Sequence, residues 1–116
     1  MSSFLILISC TYHNEEDLYG PQICDTSNVS YNLDVKPIFV ESCYGCHSKP
    51  LQDGTYDGNF NITDTAQIQI RVKNDKLRKY INWEVPNFYM PKDAPKLSDC
   101  RIRAIETWIN RGAHYN

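Results

Sequence analysis

The sequence predicts an all-α domain, and three observations carry that prediction. Apolar residues recur at spacings of three and four in three stretches: Tyr31 to Cys46, Thr63 to about Trp83, and Ser98 to Ile109. No alternating pattern of strands and helices surrounds them. The first stretch ends in Cys43-Tyr44-Gly45-Cys46-His47, two thiols three residues apart followed at once by an imidazole, which is the pattern of covalent attachment of a c-type haem. Together these predict three main helices wrapped around one covalent haem, preceded by an irregular N-terminal tether.

The spacing of that motif has a physical reason. On one helical turn, positions i and i+3 share a face, so the sulfurs of Cys43 and Cys46 both reach the vinyl groups on one edge of a porphyrin. His47 is then carried under the ring, where its imidazole binds iron as the proximal ligand. A bare Cys-x-x-Cys also occurs in redox dithiols and as half of a zinc site. The redox reading wants strands alternating with helices. The zinc reading wants a second close pair of ligands, whereas Cys10, Cys24 and Cys100 are isolated in the sequence. A looser zinc site that draws in Cys24 or Cys100 stays open at this point.

Taken in order, the chain begins with Met1 to Cys10, a short apolar run ending in a small residue and a cysteine. It resembles the end of a bacterial lipoprotein signal, with Leu7, Ser9 and Cys10 in the places of the aliphatic, small and lipidated residues. No basic residue precedes the run, so the alternative is a frayed terminus or a first strand. On the lipoprotein reading residues 1–9 are a short or truncated signal, and Cys10 carries enough hydrocarbon for stable membrane anchoring. Residues 10–30 read as an acidic tether, with Asn14-Glu15-Glu16-Asp17, a Gly20-Pro21 turn and turn formers from Asp25 to Asn28.

The haem domain is expected over residues 31–116. Asp34 caps its first helix, Pro37 suits the first turn, and Val35, Ile38 and Phe39 supply the apolar face. Residues 48–61, with Pro50, Gly54 and Gly58, form a loop, and the Pro50 carbonyl is a candidate acceptor for the far ring nitrogen of His47. Thr63 or Asp64 caps a second helix running to about Trp83. Its Ile68, Val72, Leu77 and Ile81 alternate with Arg71, Lys73, Lys76, Arg78 and Lys79. These charges read as a solvated face, or else as a docking patch for an acidic partner or for haem propionates.

Asn87-Phe88-Tyr89-Met90-Pro91 follows, and Met90 is the only methionine beyond the initiator. A lone methionine beside aromatics is ordinarily core filler. Given a haem, Met90 is the expected sixth ligand, since Met/His ligation is a standard arrangement and Pro91 restricts the backbone before it. The fallback ligands His13 and His114 sit near the chain ends. Ser98 caps the last helix, Ile102, Ile105, Trp108 and Ile109 form its core stripe, and Gly112 stops it. That helix is expected to pack across the one ending at Cys46.

Composition bounds the rest. A chain of 116 residues makes one domain at most, and its 41% hydrophobic content suits a compact protein. No stretch approaches the ~20 apolar residues of a membrane span. Residues 1–34 carry five acids and no Lys or Arg, whereas residues 35–116 carry twelve basic residues against nine acids. That is too weak a positive field to argue for nucleic acid, and none is expected as a partner.

Through Cys43 to His47, Met90-Pro91 and Trp108-Ile109-Asn110-Arg111-Gly112-Ala113, residues 29–113 resemble the class I c-type cytochromes. The likeness is closest to small bacterial lipoprotein members, in which a Val-Lys-Pro-Ile-Phe helix, here Val35 to Phe39, precedes the haem motif. The resemblance implies a cytochrome c-like all-α fold around one haem c, His47 and Met90 as axial ligands, and electron transfer between redox protein partners as the activity. With Cys43 and Cys46 on haem and Cys10 on lipid, Cys24 and Cys100 remain as a disulfide pair or as two buried free thiols. Haem attachment and lipidation both imply an extracytoplasmic, membrane-anchored location, periplasmic or on the outer surface, where disulfides persist. Such a protein is a carrier, not an enzyme. If Met90 does not ligate, a haem-based gas sensor or weak peroxidase is the alternative, and a subunit working only within a larger respiratory complex is another.

Overall fold

The computed structural model describes residues 24–116, and these residues are helical with no strand among them. Cys10, His13 and most of the expected tether lie outside the described residues. A π-helical turn, Tyr31–Val35, opens the domain and runs directly into α1, Lys36–Ser42. A single short turn, α2, Tyr44–His47, follows. Then come α3, Thr65–Lys73, and α4, Lys76–Ile81, and finally α5, Asp99–Asn110.

The first predicted helix is therefore interrupted, and local chemistry explains where. Its cap is Ser30 and not Asp34: the Ser30 hydroxyl accepts the Leu33 N–H at 3.1 Å, while the Asp34 carboxylate accepts the Ser30 N–H at 2.8 Å. Both residues satisfy amide donors that a helix start leaves open. Pro37 has no N–H to continue the ladder, and its ring would crowd the carbonyl four residues back. The wider π turn, in which the Lys36 N–H reaches the Tyr31 carbonyl, accommodates it. Cys43, at φ −125° and ψ −33°, separates α1 from α2.

The second predicted helix is also two. α3 starts at Asp64, whose carboxylate accepts the Ala66 N–H at 2.9 Å. It stops at Asn74, because Asp75 takes a left-handed conformation at φ 63°. Asn and Asp tolerate that conformation better than other side chains do. Here Asp75 is further held by two bonds from the Arg78 guanidinium, at 2.9 and 2.7 Å.

The core lies where α5 meets the start of the domain, as expected for the last helix. Trp108 is nearly inaccessible, and its ring packs 5.4 Å from Tyr31, 6.3 Å from Phe39 and 5.7 Å from Tyr115. Its indole N–H donates to the His114 carbonyl at 2.8 Å. The residues after α5 sew the elements together. Gln69 of α3 donates to the Ala113 carbonyl, Tyr115 donates to the Thr65 carbonyl, and the Asn32 N–H reaches the Asn116 carbonyl. Ile68, Leu77, Ile81, Ile102 and Ile105 are buried as the spacing predicted, while Val72 is only partly so. The sulfurs of Cys24 and Cys100 lie at disulfide distance, 2.17 Å, which closes the segment beginning at Cys24 onto the start of α5.

Candidate functional site

The Cys43–His47 turn is built from its backbone outward. The Cys43 N–H closes the last turn of α1 on the Phe39 carbonyl at 2.8 Å, and the His47 N–H returns to the Cys43 carbonyl at 3.0 Å. Both thiols are thus presented from one turn, and they are free. Cys43 packs against the edge of the core, and burial pushes its thiol pKa up to about 11, with neighbouring Cys46 adding to the rise. A nucleophilic redox dithiol needs the opposite shift, towards an accessible thiolate. No group of three or more His, Cys, Asp or Glu side chains able to hold a metal forms among the described residues. Within those residues, the zinc alternative with Cys24 or Cys100 therefore lacks its ligand set, since these two cysteines lie against each other.

His47 is oriented by the loop that follows it. Its Nδ1 lies 3.1 Å from the Phe60 carbonyl oxygen. A carbonyl only accepts, so Nδ1 bears a proton, and in the neutral imidazole Nε2 is then the nitrogen with the lone pair that a metal requires. The expected acceptor, the Pro50 carbonyl, is replaced by one thirteen residues after the histidine. The reason is the course of the chain: the His47 carbonyl accepts the Ile62 N–H at 2.9 Å, which brings residues 60–62 back beside the imidazole. The Phe60 ring packs 5.2 Å from that imidazole, and the Arg71 guanidinium lies over its face at 5.4 Å. Gly58, at φ 65°, turns the loop within reach, and a Cβ there would stand 3.8 Å from His47 Cε1.

Met90 is half-buried and is tied by its backbone to the end of α4. Its N–H donates to the Tyr80 carbonyl at 3.1 Å, and its carbonyl accepts the Trp83 indole N–H at 3.0 Å. Trp83 stacks on Tyr89 at 5.1 Å, and Tyr80 stacks on Phe88 at 5.6 Å. The Met90–Pro91 peptide is cis. Neither backbone bond of Met90 runs to the Cys43–His47 turn. The fallback ligand His114 lies apart from the motif, in a shallow depression of about 190 Å³ shared with Asn28, Val29, Trp108 and Arg111.

Of the five basic residues on α3 and α4, two are engaged within the molecule. Arg71 lies on Phe60, and Arg78 bridges Asp75 at 2.7 Å and Glu84 at 3.2 Å. The Arg78 hydrogen bonds hold the Asp75 carboxyl below its usual value. Lys73, Lys76 and Lys79 are exposed. Phe60 and Trp83 are the participants that sequence reasoning missed. Their roles depend on which carbonyl and which ring the loops bring together, and no local spacing encodes that.

The residues present fit a covalently attached haem. Two unbridged thiols leave one turn, followed by an imidazole whose Nε2 is free and whose Nδ1 is held. No protein-family model, curated protein or solved structure matches the chain.

Proposed function

We propose that the protein is a monohaem c-type cytochrome that carries single electrons between redox partners. The observation that carries this reading is the state of His47: Nδ1 donates to the Phe60 carbonyl, so Nε2 is the atom available to iron, one residue beyond two unbridged thiols. A carbonyl partner for the non-ligating nitrogen fixes the tautomer and raises the basicity of a ligand imidazole. A bound haem c supplies a one-electron iron couple and needs no bond to a substrate. On this reading Cys43 and Cys46 hold the ring, His47 is the proximal ligand, Met90 is the distal one, and the helices wrap the ring in a cytochrome c-like manner.

Apolar side chains close in sequence to the same residues are exposed. Val40 precedes Cys43 by three positions and is 48% exposed, Leu51 follows His47 by four and is 53% exposed, and Phe88, two positions before Met90, is 51% exposed. A planar apolar group gives such side chains a surface to cover. With two strong axial ligands there is no position for a substrate, which favours a carrier over a sensor or peroxidase. The same reading puts the protein outside the cytoplasm, anchored through Cys10 to a membrane, with redox proteins as partners.

A pyridine haemochrome spectrum with the intact mass tests attachment, lipidation and the Cys24–Cys100 bond together. One haem per chain with both thiols consumed is expected, and an unmodified mass from cells competent in haem attachment overturns the proposal. The distal assignment predicts a low-spin spectrum whose sulfur-to-iron charge-transfer band disappears in Met90→Ala. Carbon monoxide binding to the native reduced protein would instead mean an open iron.

A further inference from the structure

The C-terminal end of α4 carries a side chain that its backbone position disfavours. The Glu84 N–H bonds to the Lys79 carbonyl at 3.0 Å and the Trp83 N–H to the Tyr80 carbonyl at 3.2 Å. This is the paired hydrogen bonding of a Schellman cap, and it sets Trp83 in the left-handed position just beyond the helix, at φ 60°. Glycine is the usual residue there. α5 ends in the same cap, with Gly112 N–H on the Ile109 carbonyl and Ala113 N–H on the Trp108 carbonyl, and it places Gly112 at the corresponding position. A bulky residue with positive φ is strained, and such strain gathers where a side chain has a particular task.

The task is visible in what the indole touches. Its one polar group donates to the Met90 carbonyl, and its ring stacks on Tyr89, the residue before Met90. The Met90 N–H is taken by Tyr80, whose own carbonyl also receives the Trp83 N–H. Both polar backbone groups of Met90 are therefore fixed by the one cap. We propose that Trp83 is a positioning residue for Met90: the left-handed turn aims its indole N–H at the Met90 carbonyl and so holds the thioether loop in the geometry that ligates iron. This rests on Met90 being the distal ligand.

The indole N–H acts on the Met90 backbone carbonyl, so its removal loosens the loop while the ligand stays in the sequence. Trp83→Phe keeps a stacking ring and removes the N–H. The measurement is displacement of the distal ligand by added imidazole in the oxidised, haem-loaded full chain, read from loss of the sulfur-to-iron band. One net hydrogen bond lost from the closed loop tightens apparent imidazole binding about fivefold in Trp83→Phe. Thermal melting of the same variant should fall by only about 4 to 8 °C, the cost of one hydrogen bond, because the packing ring is retained.

An imidazole affinity within twofold of wild type overturns the role of Trp83, and so does a variant that melts far earlier or fails to keep its haem, which would make Trp83 structural. Met90→Ala, run alongside, separates this inference from the reading beneath it. If Met90→Ala leaves the spectrum unchanged, the ligand assignment itself fails. If Met90→Ala loses the band while Trp83→Phe behaves as wild type, only the role of Trp83 fails.

Discussion

Replacing both Cys24 and Cys100 with serine should destabilise the domain by about 2 to 4.5 kcal/mol, and the range follows from what the cross-link spans. The bond closes a loop of 76 residues, which in the chain-entropy model corresponds to about 4.5 kcal/mol at 25 °C. That full value applies if the segment from Cys24 to Tyr31 keeps its place without the bond. The segment has modest anchors: Val29 packs against the core, and Arg111 donates to the Ser27 carbonyl at 3.1 Å. If it frays instead, the folded state regains the freedom of a loop of about seven residues, an offset near 2.4 kcal/mol in the same model, leaving about 2. Urea unfolding followed by far-ultraviolet circular dichroism measures the difference. With a slope of about 2 kcal/mol per molar, the midpoint falls by about 1 to 2 M. A loss below about 1 kcal/mol refutes the reasoning, as does a non-reducing mass that retains both thiol hydrogens.

Two further outcomes follow from the core. Tyr31 is 7% exposed, and burial, aided by Tyr44 and Tyr115, pushes its pKa up to about 12. Its stabilising effect is complete below about pH 10 and is lost as the pH rises towards 12, because only the unfolded chain ionises there; the loss is about 2 kcal/mol and should be absent in Tyr31→Phe. Trp108→Ala removes an inaccessible ring that packs on Tyr31, Phe39 and Tyr115 together with its bond to His114, and should lower unfolding free energy by about 3 to 5 kcal/mol in urea titrations. A loss below about 1 kcal/mol would place the core elsewhere.

Features written in neighbouring residues were legible in the sequence. Ser98 accepts the Arg101 N–H, Asp64 caps α3, Gly112 ends α5, and Ile102, Ile105 and Trp108 are buried along one face. Each depends on contacts within one or two turns, where spacing is a reliable guide. The interruptions at Cys43 and Asp75 were missed because apolar periodicity runs through them, although Asn74-Asp75 is a helix-stop signal by composition. The thiols and imidazole were legible as a set, but the partner of His47 was not. Phe60 reaches it through the path of a loop, as Trp83 reaches Met90 through the form of a helix cap. Pairings of that kind are fixed by tertiary closure and leave no period to read.

The hydrogen bond from His47 to Phe60 has a consequence for how such a protein could diversify. The electron-donating strength of the imidazole is set by an acceptor that belongs to the loop of residues 48–61 and not to the attachment motif. With the proposed haem bound, lengthening, shortening or stiffening that loop would shift the carbonyl, and with it the redox potential, while all five motif residues stayed unchanged. Potential would then be a heritable property of loop geometry, free to vary between close variants whose attachment chemistry is identical.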